Sequence, residues 1–158
     1  MTVVLCRVDD RLIHGQVVVG WGQALGLERL VLADDAVARS DWEQDLYRMA
    51  VPQDLEVVFV TVAAAGARLR SWHEDGRRTA VITGSVEAAA QLYRQAPAVL
   101  RRINLGGLHH RPGRIERLPY VYLTAEEHRL LAELAGEGAQ ITGQDLPTVT
   151  PVPLESLA

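Results

Sequence analysis

Short runs of β-branched and apolar residues alternate with helix-like segments along the whole chain, and this alternation restricts the possible folds. Seven runs are predicted strands: Val3–Val8, Arg29–Ala33, Leu55–Val60, Thr79–Thr83, Arg102–Leu105, Tyr120–Leu123 and Ala139–Gly143. The early runs are almost continuously apolar, which is typical of parallel strands covered on both faces. We therefore expect one α/β domain over residues 1–158, with an open, mainly parallel sheet and helices on both faces.

Helix start signals lie between the predicted strands. Two pairs of residues have the spacing of a capping box: Ser40 with Glu43, and Thr124 with Glu127. Ser85 can cap a helix that stops before Pro97, and a further helix begins at Val17. Because ligands of open α/β sheets bind beyond the carboxyl ends of the strands, a functional site is expected in the loops that follow strands.

The amino-acid composition argues against several classes of function. Apolar residues make up 48% and charged residues 23% of the 158 residues, and the formal net charge of -4 argues against general binding to nucleic acid. All sixteen basic residues are arginine, which excludes lysine-dependent chemistry and a Walker-type phosphate loop. Cys6 is the single cysteine, so neither an intrachain disulfide nor a cysteine metal cluster can form. No apolar stretch approaches the roughly 18 residues of a membrane span, and we expect a cytoplasmic protein.

The loop after the first predicted strand concentrates reactive side chains. Two carboxylates, an arginine and a histidine lie within six positions: Asp9, Asp10, Arg11 and His14. A neutral imidazole is nucleophilic near pH 7, and a guanidinium binds phosphate oxygens through paired hydrogen bonds. This chemistry favours His14 as a phosphoryl acceptor and Arg11 as its phosphate ligand, with Asp9 or Asp10 orienting one of the two. The alternative is a solvated loop with an incidental histidine.

Backbone and hydroxyl groups near this loop are further phosphate ligands. The unpaired N–H groups at a helix N-terminus suit a bound phosphate, so contacts are expected from Gly15, Gln16 and Val17. Thr83 and Ser85 follow the fourth predicted strand and could present hydroxyls to the same phosphate, although Ser85 fits a helix cap equally well. Neither a metal nor a cofactor is predicted.

Three segments also resemble a known protein family. Residues 7–17, RVDDRLIHGQV, resemble almost residue for residue the active-site signature of enzyme IIB in the mannose/fructose/sorbose family of the sugar phosphotransferase system. Residues 103–109, INLGGLH, are similar to that family's Asn-Gly-Gly strand end. The last helix and closing strand, through residues 144–147, are similar to its C-terminal pattern. The resemblance covers essentially the whole chain.

This resemblance implies a function and partners. His14 would receive a phosphoryl group from a phosphohistidine of enzyme IIA and pass it to a sugar that enters through the membrane subunits IIC and IID. Arg11 would neutralise the phosphate, and the protein would work at the inner face of the membrane through IIC and IID. The alternative is a regulatory phosphoacceptor that never transfers phosphate to sugar. The sequence determines neither the sugar nor the oligomeric state.

Two other patterns have simpler interpretations. Residues 20–26, GWGQALG, resemble a loose dinucleotide-binding fingerprint. Such a fingerprint must follow the first strand directly, whereas these residues begin about a dozen residues past it. His109 and His110 could bind a metal, but adjacent residues of an extended segment point to opposite sides. The preferred interpretations are that His109 lies near the phosphorylation loop or that both histidines are ordinary polar loop residues. Arg111 and Arg114 are either a basic docking rim or solvated loop charges.

Overall fold

A computed structural model describes residues 1–158 and contains nine strands. In chain order these are β1 (Val3–Val8), β2 (Arg29–Ala33), β3 (Glu56–Val60), β4 (Thr79–Thr83), β5 (Arg102–Leu105), β6 (Ile115–Leu118), β7 (Val121–Leu123), β8 (Gln140–Gly143) and β9 (Val152–Pro153). Seven of them form the central sheet in the order β3-β2-β4-β1-β5-β8-β9, and β6 pairs with β7 in a separate antiparallel ribbon. Within the central sheet only β9, which pairs with β8, is antiparallel.

Helices connect the parallel strands. A π-helical segment (Gln16–Trp21) leads into α1 (Gly22–Leu25), and it is followed by α2 (Asp35–Ala38), α3 (Asp41–Met49), α4 (Val62–Glu74), α5 (Val86–Gln95) and α6 (Ala125–Gly136). A short 3₁₀ helix, Leu154–Leu157, follows β9. None of these helices combines the length and the apolar character that crossing a bilayer requires.

The predicted open α/β sheet with helices on both faces is confirmed. Each predicted strand is found with ends that shift by at most one residue, but Tyr120–Leu123 corresponds to β7, which lies outside the central sheet. The predicted caps are also present, since three side chains accept from the backbone N–H three residues ahead: Ser40, Ser85 and Thr124. A reciprocal capping box is completed at Thr124, where Glu127 accepts from the Thr124 N–H. The strands that were not predicted, β6 and β9, are short and largely exposed.

Two hydrophobic clusters fill the two faces of the sheet. Alternate residues of β2 enter different clusters, because successive strand side chains point to opposite faces. Leu30 and Leu32 join the smaller cluster under the π-helical segment, whereas Val31 and Ala33 join the larger cluster under α4, α5 and α6. Burial on both faces explains why the parallel strands have nearly continuous apolar sequences.

The topology determines where a ligand can bind. β1 lies between β4 and β5 in the sheet, and the carboxyl ends of all three strands meet at one edge. The chain leaves β1 towards the face of the smaller cluster, whereas the helix after β4 lies on the face of the larger cluster. Neighbouring strands whose connections diverge in this way leave a crevice at their carboxyl ends.

Candidate functional site

The loop that follows β1 is held in a tight turn at this crevice. The Leu12 N–H donates to the Asp9 carbonyl at 3.0 Å, and the Arg11 N–H donates to Asp9 Oδ1 at 3.1 Å. Leu12 has a φ of 60°, a left-handed conformation that is strained for a residue with a side chain. Its side chain is buried in the smaller cluster, against Gly84, and this packing holds the strained turn in place.

One buried carboxylate organises the two side chains that were predicted to carry the chemistry. Asp9 is fully buried, its Oδ2 lies 3.0 Å from His14 Nε2, and its Oδ1 lies 3.7 Å from Arg11 Nε. The His14 side chain is 18% exposed and that of Arg11 is 43% exposed, so both remain accessible to a ligand. Of the two acids that the sequence left as alternatives, Asp9 is therefore the one that contacts His14 and Arg11.

Asp9 stays ionised in spite of its burial. Burial by itself would raise the pKa of the Asp9 carboxyl, but hydrogen bonds from His14 and from the Arg11 N–H, together with the charge of Arg7, lower it further than burial raises it. The net effect holds the pKa of Asp9 below its ordinary value. A carboxylate therefore faces His14 near neutral pH.

Arg7 supports Asp9 from inside the protein. Its guanidinium is fully buried, lies 3.5 Å from Asp9 Oδ2, and donates to the side chain of Asn104 and to the carbonyls of Gln144 (2.8 Å) and Asp145 (3.1 Å). No role is predicted for Arg7 from the sequence motif alone. The signal that could have identified it is a charged residue inside an otherwise apolar buried strand, because such a charge requires a paired partner.

The Asn-Gly-Gly strand end of β5 is shaped to accept these groups. A Cβ atom on Gly106 would overlap the guanidinium of Arg7, and a Cβ atom on Gly107 would lie 3.2 Å from Asp9 Oδ1 and 3.5 Å from Arg11 Nε. The absence of a side chain at both positions lets the backbone of β5 approach the loop. The Asp10 N–H completes the junction by donating to the Gly107 carbonyl at 2.8 Å.

The helix start after His14 provides free backbone donors, as predicted. The N–H groups of Gly15, Gln16 and Val17 form no backbone hydrogen bond. The Gln16 side chain accepts from Arg11 Nη2 at 2.8 Å, which places the guanidinium next to the helix start. An anion bound here would meet both the guanidinium and these amides.

Asp10 lies on the other side of the loop and holds a different histidine. Its carboxylate is 8% exposed and contacts the ring Nδ1 of His109 at 2.5 Å and the His109 N–H at 2.8 Å. Arg114 lies close to Asp10 and forms a buried, two-contact ion pair with Glu127. It is therefore neither part of an exposed docking rim nor a solvated loop charge. Arg111, in contrast, is exposed. No group of three or more His, Cys, Asp or Glu side chains is arranged to hold a metal ion.

Thr83 and Ser85 line a neighbouring depression. It has a volume of about 420 Å³ and also includes Asp10 and Leu12 in its lining, but His14 and Arg11 are not part of it. Ser85 Oγ serves as the cap of α5 by accepting from the Ala88 N–H at 3.1 Å, and Thr83 Oγ1 is buried without a partner. Contact of either hydroxyl with a phosphate on His14 stays a prediction.

The chain is similar to known proteins over nearly its whole length. The N-acetylgalactosamine-specific phosphotransferase enzyme IIB component 2 of Escherichia coli is 29% identical over 156 residues, which cover 98% of each chain. The mannose-specific EIIAB component of Escherichia coli is 23% identical over 94% of this chain and 46% of its own length. The IIBSor domain of the sorbose permease from Klebsiella pneumoniae superposes with a TM-score of 0.89 at 25% identity, over 99% of this chain and 96% of that domain.

The family model described as "PTS system sorbose subfamily IIB component" matches residues 3–158, almost the full length of the chain. The match includes β1, the loop with Asp9, Arg11 and His14, and the β5 strand end against which this loop packs. The chain therefore belongs to the sorbose-subfamily IIB components of the sugar phosphotransferase system.

Proposed function

We propose that this protein accepts a phosphoryl group on His14 from phosphorylated enzyme IIA and transfers it to a sugar during uptake through the membrane subunits IIC and IID. The observation that carries the proposal is the 3.0 Å contact between His14 Nε2 and the buried Asp9 carboxylate, beside the accessible guanidinium of Arg11. The similarity to an EIIAB component, whose name joins an A part to a B part, supports IIA as the donor.

The contact with Asp9 supports Nδ1 of His14 as the nucleophilic atom. An ionised Asp9 accepts the proton of Nε2, and the lone pair of the neutral ring then lies on Nδ1. Attack of Nδ1 on phosphorus places positive charge on the imidazole, and the adjacent Asp9 carboxylate stabilises that charge, as an aspartate does beside a catalytic histidine. We therefore assign the phosphoryl group to Nδ1 of His14.

Arg11 and the helix start are assigned to the phosphoryl oxygens. Phosphoryl transfer depends mainly on positioning and on neutralising the charge of the equatorial oxygens. The Arg11 guanidinium lies next to three free amides, those of Gly15, Gln16 and Val17. Together they supply donors of fixed direction that need little reorganisation when charge develops.

The experiment that tests this function is labelling by phosphorylated IIA, followed by mapping of the labelled residue. We expect one acid-labile phosphoryl group, on His14, and its complete loss in His14→Ala. His110→Ala removes an exposed histidine from another loop and should label like the wild type. Label on another residue, or labelling of His14→Ala, would contradict the proposal. Labelling without onward transfer to any sugar in membranes with IIC and IID would favour the regulatory alternative.

A further inference from the structure

A second imidazole beside the site has no role in the mechanism above. His109 follows β5, and its ring is 53% exposed while Asp10 holds it at Nδ1 (2.5 Å) and at the backbone N–H (2.8 Å). The other ring nitrogen, Nε2, has no hydrogen-bond partner in the protein. A carboxylate at Nδ1 draws the proton of the neutral ring to that atom, which leaves a lone pair on the exposed Nε2.

This imidazole shares one small region with the phosphoryl-binding groups. A Cβ atom on Gly107 would lie 3.0 Å from His109 Cε1, 3.2 Å from Asp9 Oδ1 and 3.5 Å from Arg11 Nε. Cε1 is the ring carbon bonded to both nitrogens. The Nε2 atom of His109 is therefore one bond away from Cε1, the ring atom that lies beside Gly107. The neighbouring His110 packs edge-on against Tyr122 instead, with ring centroids 5.8 Å apart.

The two transfers of the proposed cycle differ in their need for a base. When His14 takes the phosphoryl group, its Nδ1 already carries a lone pair, and no proton has to leave the acceptor. When a sugar hydroxyl takes the group, the oxygen–phosphorus bond forms, the Nδ1–phosphorus bond breaks, and the hydroxyl proton must be removed. His14 is released with its proton still on Nε2 at Asp9, and its freed Nδ1 lies on the opposite side of phosphorus from the attacking oxygen in an in-line transfer. A separate base therefore has to take the hydroxyl proton.

We propose that His109 is this base and takes the sugar hydroxyl proton on Nε2 while the phosphoryl group leaves His14. The resulting imidazolium is stabilised by the Asp10 carboxylate, and the proton later passes to water. The inference rests on the proposed transfer to sugar. The other charges near His109 are Asp9 and Arg11 across Gly107, and Arg114, whose Nη1 donates to the His109 carbonyl at 2.9 Å.

The test separates the two transfers in the full-length protein. His109→Gln and the matched His110→Gln are labelled by phosphorylated IIA and then mixed with membranes that contain IIC and IID, with sorbose, mannose or N-acetylgalactosamine as acceptor. We expect His109→Gln to take up label at the wild-type rate but to transfer it about 10²–10⁴ times more slowly, the usual contribution of a general base. His110→Gln should match the wild type in both steps.

Other outcomes would overturn the inference, and each points to a different cause. Wild-type transfer rates in His109→Gln would exclude His109 as the base. Equal slowing of labelling and of transfer would show that His109 only supports the structure of the loop. Wild-type protein that labels on His14 but transfers to none of the sugars would show that no sugar hydroxyl accepts the group. No base would then be needed. Failure of labelling on His14 would instead contradict the proposed function itself.

Discussion

Asp9 contacts three functional side chains at once, with His14 at 3.0 Å, Arg7 at 3.5 Å and Arg11 at 3.7 Å. A buried carboxylate is tolerated only when it is paired and hydrogen-bonded, and here both requirements are met by the site itself. Arg7 supplies a positive charge from the interior, Arg11 supplies another from the accessible side, and His14 supplies a hydrogen bond. The position of His14, the proposed phosphoryl acceptor, therefore depends on a residue that a ligand need not touch.

Replacement of Arg11 by alanine tests the proposed role of this side chain as the phosphate ligand. The side chain is 43% exposed, so its loss should leave the fold intact while it removes a charged donor from the transferring group. We expect labelling by phosphorylated IIA to become about 10²–10³ times slower, the typical cost of losing one preorganised donor. Arg70→Ala, an exposed arginine on α4, is the matched control and should label normally. An unchanged rate in Arg11→Ala would reject its role.

Among the elements, α6 shows how a helix start is connected to the site. Glu127 completes the capping box with Thr124, and its carboxylate also receives both contacts of the buried Arg114. Arg114 in turn lies 3.8 Å from Asp10, the carboxylate that holds His109. One ion pair thus stabilises the first turn of α6 and the loop that carries His109.

This ion pair predicts a pH-dependent stability. Burial alone would raise the pKa of Glu127, but hydrogen bonds from Arg114 and from the Thr124 N–H lower it overall. A lowered folded-state pKa stabilises the protein above the unfolded-state value of about 4.3, and this stabilisation is lost as the pH falls through the folded-state value. In urea denaturation, Glu127→Gln should lower the free energy of unfolding by about 3 kcal/mol at pH 7, because Arg114 loses its buried partner.

The difference in unfolding free energy between wild type and Glu127→Gln should shrink as the pH falls through the lowered pKa of Glu127, because the wild-type carboxyl then becomes protonated. The control is Glu126→Gln on the same helix turn, where the exposed pair with Arg129 should contribute little at any pH. A difference that stays constant between neutral and acidic pH would contradict this assignment.

In the whole molecule, a single sheet forms one wall of both hydrophobic clusters. Because alternate residues of the same strands belong to the two clusters, loss of the sheet would expose both of them. The last residues of the chain are part of this unit, since β9 extends the sheet and both Leu154 and Leu157 are buried in the larger cluster. We therefore expect the protein to unfold in one cooperative step.

Leu157→Ala tests this expectation. The side chain is fully buried, so the change should lower the free energy of unfolding by about 2–5 kcal/mol through lost packing and the cavity that remains. Far-UV circular dichroism and the fluorescence of the buried tryptophans should shift to lower urea concentration together. Ile115→Ala, at an exposed site on β6, should leave the transition unchanged. Separate transitions for the two probes would contradict a single cooperative step.

The parallel strands and the helix caps were predictable, and a candidate loop could be proposed, because each of their signals is local. A strand that is buried on both faces has a continuous apolar run, as residues 30–33 show for β2. Ser85 and Thr124 cap helices through bonds to N–H groups only three residues away. Likewise, Arg11 and His14 belong to one short segment, so their chemistry can be recognised before their geometry is known.

The tertiary structure alone decided which partners these residues have. Asp9 and Asp10 are adjacent and chemically identical, but one faces His14 and the other faces His109, which is 99 positions away in sequence. The role of Arg7 depends in the same way on Asn104 and on the carbonyl of Gln144, groups on distant strands and loops. Sequence determines the local conformation and the chemical groups available, whereas long-range packing selects which groups meet, because that choice depends on the strand order.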